Sequence, residues 1–430
     1  MKAGARLAAA VTVLTEITVR HRPAALALAD WGKASRYAGS GDRAAVGNLV
    51  YDALRRRGSI AARMGASTPR ALTLGAAARA LGLDAGQIAA AADGSKHALA
   101  PLTDTERAAL ENTQPLGANE LLADVPAWIV PLLRPMLGDH LAEEAAAFSE
   151  RAPVDIRVNT LKATRKQVIA DLEKLGPVET RYSPLGLRFD APEGAGRTPN
   201  VEAEPAHGKG WFEVQDQGSQ IAALLADARP GHEVIDLCAG AGGKTLALAA
   251  AMKGEGRIIA HDSDKTRLRP IFERIARSGA KNVEVLAASE ANALDGMAGQ
   301  FDRVLIDAPC TGTGTWRRRP DAKWRLKPRN LEQRQKEQRE VLAEAAPLVK
   351  PGGRLVYITC SLLPAENTEQ VAAFLAANPE YALMPYDDVW REVLPGTPPA
   401  SADGRTDTLL LTPARHGTDG FFVAILARNA

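Results

Sequence analysis

The segment HEVIDLCAGAGGKTLALAAAM, residues 232–252, carries the clearest fold signal in the chain. It is a short apolar strand, a turn rich in glycine and then an apolar helix. Further short strands rich in Val, Ile and Leu follow, ending with GRLVYITC, and helix-length segments separate them. This alternation predicts a parallel, doubly wound Rossmann-like α/β sheet with helices on both faces. In such sheets, ligands bind beyond the carboxyl ends of the strands.

The bulk composition is that of a soluble globular protein: 430 residues, 46% hydrophobic and 24% charged, enough for two or three domains. No apolar run approaches the roughly 18 residues of a membrane span, and no secretory signal is recognisable. Three widely spaced cysteines favour a reducing compartment, so we expect a cytoplasmic protein. The cysteine and histidine spacing does not predict a metal site. A net charge of +2 means that any contact with nucleic acid must be local.

The organisation along the chain predicts three parts. Residues 1–145 form a helical region rich in Ala, Leu and Arg, residues 148–205 a small α+β module, and residues 206–430 the main sheet domain. Within the helical region, GDRAAVGNLVYDALRRRG (41–58) has its apolar residues at helical spacing. We expect Asp42 to cap this helix.

The three cysteines all lie at the ends of predicted strands. Cys238 directly follows the strand VIDL, Cys310 lies three residues past Asp307 at the end of VLID, and Cys360 ends the strand LVYIT. Cysteines that only filled the core would be scattered through strand middles and helix faces. Their placement at the ligand-binding edge therefore favours a chemical role.

The glycine turn, residues 236–245, allows two nucleotide-binding interpretations. A phosphate-binding P-loop would use Gly243 and Lys244, but Cys238 stands where its first glycine is needed. A loop for an adenosine cofactor predicts an acidic residue at the end of the next strand, where it binds ribose hydroxyls. Asp262 fits that prediction, so the second interpretation is favoured.

Thiols at this edge suit one reaction in particular. If the fourth and fifth strands flank the first, as expected for a methyltransferase-type sheet, Cys310 and Cys360 converge on the crevice. Carbon 5 of cytosine is a poor nucleophile, but addition of a thiolate to carbon 6 makes it enamine-like. Asp307 could stabilise charge on the ring, and Lys244 could assist it and lower the pKa of a nearby thiol.

An ordered set of motifs resembles the RNA (cytosine-5) methyltransferases of the RsmB/NSUN family. In chain order these motifs are FEVQDQGSQ (212–220), DLCAGAGGKT (236–245), DAPCTGTG (307–314), VYITCSLLPAEN (356–367) and DGFFVAILAR (419–428). RVNTLKATR (157–165) resembles the small module that precedes the catalytic domain in this family. Residues 1–145 resemble, more loosely, a NusB-type RNA-binding helical domain.

The resemblance implies a role for each matching residue. Cys360 would be the nucleophile, and Cys310 would help to release the methylated base. Asp262 would bind the ribose of S-adenosylmethionine and Asp307 would lie near its methyl group, with Asn292 as a candidate for the adenine contact. The loop that would line this cofactor consists of Cys238, Ala239, Gly240, Ala241, Gly242, Gly243 and Lys244.

The stretch WRRRPDAKWRLKPRNLEQRQ (316–335) is the most basic in the chain and is a candidate RNA contact. Its arginines and lysines could bind phosphates, and Trp316 and Trp324 could stack on unpaired bases. Alternatively, the stretch is a surface loop whose tryptophans lie in the core. The basic helix end at Arg57 is a weaker candidate.

Together these features predict a cytoplasmic, monomeric, S-adenosylmethionine-dependent methyltransferase that acts on carbon 5 of a cytosine in small-subunit ribosomal RNA. Transfer RNA remains an alternative substrate. A P-loop-like nucleotide hydrolase and a non-catalytic RNA-binding assembly factor are the alternatives from other functional classes.

Overall fold

The computed structural model describes residues 1–192, 194, 196–286 and 294–430. The chain divides into two compact units. The helical unit comprises Met1–Ala152, Ala191–Thr198 and Trp316–Leu326, and the sheet unit comprises the remaining segments. The three-part division at residues 145–148 and 205–206 stays a prediction.

The helical unit packs around small and branched apolar side chains, with Leu14, Val50 and Leu72 fully buried. Its main helices are α1 (Ala3–Thr18), α2 (Ala24–Ala34), α3 (Ser40–Arg55), α4 (Arg57–Met64), α5 (Pro69–Leu81), α6 (Ala85–Ala91), α7 (Asp104–Glu111), α8 (Ala118–Leu122), α9 (Val130–Leu137) and α10 (Leu141–Phe148). The expected cap at Asp42 is wrong, because α3 begins two residues earlier and Gly39 precedes it. The Asp42 carboxylate instead pairs with Arg6 and with the amino terminus.

A small antiparallel sheet opens the sheet unit, with strand order β2-β3-β1-β4. Its elements are β1 (Val154–Val158), α11 (Arg165–Asp171), β2 (Val178–Glu179), β3 (Gly186–Phe189), α12 (Pro205–Gly208) and β4 (Phe212–Val214). Ile156 and Val158 point into its core, so this module has a hydrophobic centre of its own.

The main sheet has strand order β10-β12-β9-β8-β5-β6-β7, with β11 paired to β12. Its elements are α13 (Gln217–Leu224), β5 (Glu233–Asp236), α14 (Gly243–Ala251), β6 (Arg257–His261), α15 (Lys265–Leu268), α16 (Ile271–Ser278), β7 (Val283–Leu286), β8 (Phe301–Asp307), α17 (Pro320–Arg325), α18 (Pro328–Ala345), β9 (Val349–Thr359), α19 (Thr368–Ala377), β10 (Tyr381–Met384), α20 (Tyr386–Val393), β11 (Leu409–Leu411), α21 (Pro413–His416) and β12 (Phe421–Arg428). By its sequence position, α17 belongs to the segment that packs in the helical unit.

Parallel pairing joins β9, β8, β5, β6 and β7, which confirms the α/β fold class. The sheet is mixed rather than wholly parallel, because β12 runs antiparallel to both β9 and β10. The expectation that the fifth strand flanks the first is also wrong. The fourth strand, β8, lies between the first, β5, and the fifth, β9.

The central strands are buried on both faces, which explains their continuous apolar sequence. Val304, Leu305 and Ile306 of β8 are fully buried, as are Val356 and Ile358 of β9. Polar residues follow at the carboxyl ends of these strands, at Asp307 of β8 and at Thr359 of β9. Within the described residues, no helix has the length and apolar character needed to cross a bilayer.

Candidate functional site

A cavity of about 210 Å³ lies at the carboxyl end of β5. The residues that line it are Val214, Gln215, Ser219, Asp236, Cys238, Ala239, Gly240, Ala241, Gly243, Lys244, Arg267, Arg274 and Asp307. Most of the predicted cofactor loop therefore surrounds one cavity, together with Asp307 from the end of β8. Gly242 is not part of the lining. It adopts a φ of 84°, and a Cβ added there would lie 2.5 Å from the Ile271 side chain, so glycine is needed for the turn.

Asp262 lies behind the loop and is 2% exposed. One carboxylate oxygen accepts a hydrogen bond from the Gly240 N–H at 2.9 Å, and the other accepts from the Asp264 N–H at 2.9 Å. The carboxylate thus holds the loop in shape and does not line the cavity. Its contact with a ribose stays a prediction.

Lys244 and Asp307 form a close ion pair across the cavity wall. The Lys244 Nζ lies 2.6 Å from Asp307 Oδ2 and 5.2 Å from the centre of the Phe421 ring. The Lys244 side chain is buried, whereas the Asp307 side chain is 35% exposed. Asp307 can therefore meet a ligand while Lys244 compensates its charge from behind.

Asp236 is a buried carboxyl group that the sequence analysis did not single out. One of its oxygens accepts a hydrogen bond from the Thr245 hydroxyl at 2.7 Å, and the other has no hydrogen-bond partner among the described residues. Burial raises the pKa of Asp236 to about 7. Its position in DLCAGAGGKT was visible in the sequence, but its burial was not.

Cys310 and Cys360 come together at the ends of β8 and β9, with their sulfur atoms 3.3 Å apart. The loop that follows Cys310 is tied to Cys360 by a hydrogen bond of 2.9 Å from the Gly314 N–H to the Cys360 carbonyl. The hydrogen bond with the Cys360 thiol, together with burial, raises the pKa of Cys310 well above its usual range. The third thiol, Cys238, lines the cavity, and burial raises its pKa in the same direction. Neither Cys310 nor Cys360 lines the cavity.

A buried polar network lies next to this thiol pair, and its centre is Glu366, which is fully buried. The Glu366 carboxylate accepts hydrogen bonds from Thr311 and Ser361, the residues directly after the two cysteines. Gln338 of α18 adds a further hydrogen bond at 3.1 Å. Glu366 stands in the motif VYITCSLLPAEN, but its spacing from Cys310 in the sequence gave no sign of this contact.

The small sheet supports the cofactor loop from the other side. Arg274 donates to the Ala241 carbonyl at 2.8 Å and is itself held by the Glu213 carboxylate of β4. The buried Arg157 of β1 donates to Gln215 at 2.6 Å, and Gln215 lines the cavity. Gln215 lies in the motif FEVQDQGSQ, which matched the family without a role being assigned to it.

The basic stretch that follows Cys310 differs from the expected RNA face. Trp316 is 2% exposed, so the prediction that its ring stacks on a base is wrong. Trp324 donates its indole N–H to the Leu54 carbonyl at 2.6 Å, and the buried Lys323 donates to the Arg55 carbonyl at 2.9 Å. The guanidinium of Arg57 lies 5.4 Å from the centre of the Trp324 ring. These residues form part of the helical unit's packing, as in the alternative interpretation.

Exposed cations remain in this stretch. They are Arg318, Arg319, Arg325, Lys327 and Arg329. Any phosphate contact in this part of the chain would therefore fall to them. Asn292, the candidate adenine contact, lies outside the described residues.

The chain is similar to known methyltransferases in both its main sheet domain and its small sheet. The model of the 16S rRNA methyltransferase RsmB/F family matches residues 223–427, and that of the RsmF/B-like ferredoxin-like domain matches residues 125–194. The probable ribosomal RNA small subunit methyltransferase B of Synechocystis sp. is 32% identical over 312 residues, which are 70% of this chain and 66% of that protein. The chain thus spans just under two thirds of the length of that relative.

Solved structures extend the likeness to the helical region. The crystal structure of PH0851 aligns with 99% of this chain over 98% of its own chain, with a TM-score of 0.72 and 29% sequence identity. The methyltransferase homolog protein from Pyrococcus horikoshii covers 73% of this chain and 100% of its own, with a TM-score of 0.60 and 27% identity. By its motifs, its sheet and these matches, the chain belongs to the RsmB/NSUN-type methyltransferase family.

Proposed function

We propose that this protein transfers a methyl group from S-adenosylmethionine to carbon 5 of a cytosine in small-subunit ribosomal RNA, in the cytoplasm, through a covalent bond between Cys360 and the base. The observation that carries the proposal is the thiol pair, with sulfur atoms 3.3 Å apart at the carboxyl ends of neighbouring parallel strands. Methylation of an amino group or a hydroxyl needs no thiol, whereas methylation at carbon 5 needs an attacking one. The printed names of the family and of its relative support ribosomal RNA as the substrate.

The cavity beside the glycine loop fits an adenosyl cofactor. On its loop side the wall consists of small residues from Cys238 to Gly243, so a ligand can approach the main chain closely there, and Gly240 adopts a φ of 50°. The loop from Cys238 to Lys244 would hold S-adenosylmethionine, with Asp262 near the ribose and Asp307 near the reacting group. When bound, this cofactor supplies an electrophilic methyl group.

The residues around the crevice carry out the attack on the base, the stabilisation of charge and the release of the product. The Cys360 thiolate forms a bond to carbon 6 of cytosine, and the electrons of the 5,6 double bond make carbon 5 nucleophilic. Asp307 donates a proton to the ring nitrogen on which thiolate addition places negative charge, and the ammonium group of Lys244 balances the carboxylate that this leaves. After methylation, a base takes the proton from carbon 5, the double bond re-forms and the thiolate leaves. Cys310, next to the attacking sulfur, assists that release.

Bisulfite sequencing of total RNA from cells with and without the gene tests the proposal. Loss of one protected cytosine in small-subunit ribosomal RNA would support the reaction and the substrate together. A protected cytosine lost from transfer RNA instead would keep the reaction and replace the substrate. No change in any RNA would refute the proposal and favour a non-catalytic role in ribosome assembly.

A further inference from the structure

The residues that follow the two cysteines both donate hydrogen bonds to one buried carboxylate, that of Glu366. Thr311, directly after Cys310, donates its backbone N–H to Glu366 Oε1 at 2.8 Å and its hydroxyl to Oε2. Ser361, directly after Cys360, donates its hydroxyl to the same Oε2. The carboxylate therefore bridges two loops that belong to different strands.

Further contacts make this bridge rigid. Gln338 donates both to Glu366 Oε1, at 3.1 Å, and to the carbonyl of Pro309, at 2.9 Å. The Glu366 carbonyl accepts a hydrogen bond of 2.7 Å from the buried Tyr357 hydroxyl. Glu366 is thus hydrogen-bonded to β9 and α18 as well as to the two loops.

We propose that Glu366 is a positioning residue that sets the distance between the Cys310 and Cys360 thiols. Its importance for methyl transfer rests on the proposed function, but its effect on the thiol pair does not. Glu366 does not line the cavity. No described hydrogen bond joins it to a sulfur atom. It acts through Thr311 and Ser361, the residues that follow the two cysteines.

A carboxylate suits the chemistry of the bridge. The described donors that reach the Glu366 side chain are one backbone N–H, one amide N–H and two hydroxyls, and a carboxylate can accept all of them. In a Glu366→Gln variant, the amide oxygen could keep the two N–H donors. The amide nitrogen would face the hydroxyls of Thr311 and Ser361, which can rotate to accept. Glu366→Ala removes every one of these bonds, and Gln should therefore restore part of the effect.

A trivalent arsenical measures the thiol pair directly. Phenylarsine oxide condenses with two thiols, forming two As–S bonds and releasing one water molecule, so it binds tightly only where two sulfurs lie close together. Wild-type protein should bind it in a form that a dithiol reverses and a monothiol does not. Cys310→Ala and Cys360→Ala should each abolish this tight binding. Glu366→Ala should weaken it about 10²-fold, since simultaneous engagement of both sulfurs is lost.

Asp227→Ala is the matched control for folding. Asp227 is another buried carboxylate. It pairs with Arg303 near the start of β8 and with Arg354, which lies opposite Arg303 on β9, away from the strand ends that carry the thiols. This variant should lose stability and keep wild-type arsenical affinity. Glu366→Gln should recover part of the affinity that Glu366→Ala loses.

Methylation kinetics then test the consequence for catalysis. Glu366→Ala should lower kcat about 10²-fold, as expected for a misplaced reacting group, with a small change in KM for RNA. Unchanged arsenical affinity in a folded Glu366→Ala protein would overturn the positioning role. If wild-type protein methylates no RNA, the proposed function fails, while the arsenical result still decides the role of Glu366.

Discussion

Replacing Lys323 by Met separates the two interpretations of the basic stretch, because they predict opposite effects. Lys323 is 1% exposed, and its amino group lies 5.0 Å from the centre of the Trp324 ring. Burial lowers its pKa from 10.5 to about 8. At about 1.4 kcal/mol per pKa unit, the charged amine costs the folded state about 3 kcal/mol at pH 7.

One contact offsets part of this cost. The hydrogen bond to the Arg55 carbonyl, which an uncharged amine could also make, contributes about 1 kcal/mol. Methionine keeps the apolar stem and loses this hydrogen bond together with the charge. Lys323→Met should therefore raise the free energy of unfolding by about 2 kcal/mol at pH 7.

The pH dependence gives the sharper signature. The folded pKa lies below the unfolded one, so between pH 8 and pH 10.5 the unfolded state binds more protons. The free energy of unfolding of the wild-type protein should therefore rise with pH across this window. The Lys323→Met variant should no longer be more stable than wild type at pH 10. Urea unfolding at pH 7 and pH 10, followed by tryptophan fluorescence, measures both values. The exposed Lys327→Met is the control, with no expected change.

The RNA-contact interpretation makes the contrary prediction. If Lys323 bound a phosphate, Lys323→Met would weaken RNA binding and reduce the slope of log affinity against log salt by about one. A Met variant that is less stable than wild type at pH 7, or one with a reduced salt slope, would refute the interpretation that Lys323 belongs to the packing of the helical unit.

The remaining predictions concern catalysis and RNA binding. Cys360→Ala should abolish methylation while S-adenosylmethionine binding, measured by calorimetry, stays within about twofold of wild type; turnover at the wild-type rate would exclude the nucleophile role. Cys310→Ala should accumulate a covalent enzyme–RNA adduct on a denaturing gel, and its absence would remove the release role. Replacing the exposed Arg319, Lys327 and Arg329 by Gln should weaken RNA binding and lower the salt slope by up to about three; an unchanged slope would exclude these cations as phosphate contacts.

The fold could be predicted from the sequence where local pattern and topology agree. Each βα unit after residue 232 has its own apolar strand and helix, and right-handed crossovers then leave few possible sheets. The antiparallel placement of β12 could not be predicted, because its sequence, FFVAILAR, is as continuously apolar as that of a parallel strand. Both kinds of central strand are buried on two faces, so hydrophobicity alone does not give their direction.

The candidate site could be predicted only in part, for a physical reason. Chain position shows that Cys310 and Cys360 follow strands, and neighbouring parallel strands bring their ends together. Whether a polar residue faces ligand or packs behind it depends on tertiary contacts that have no local pattern. Asp262 supports the loop from behind, Trp316 is buried, and Glu366 bridges two distant loops.

The unequal environments of the two thiols bear on how their roles divide. The hydrogen bond between the two sulfur atoms and burial both raise the pKa of Cys310, so this thiol keeps its proton. A protonated thiol is a poor attacking group, but it stabilises negative charge on the sulfur it faces. When the proposed nucleophile, Cys360, is a thiolate, the S–H group of Cys310 can donate a hydrogen bond to it. The same proton lies within 3.3 Å of the sulfur that must leave carbon 6 when the base is released, so one thiol can serve attack and departure in turn.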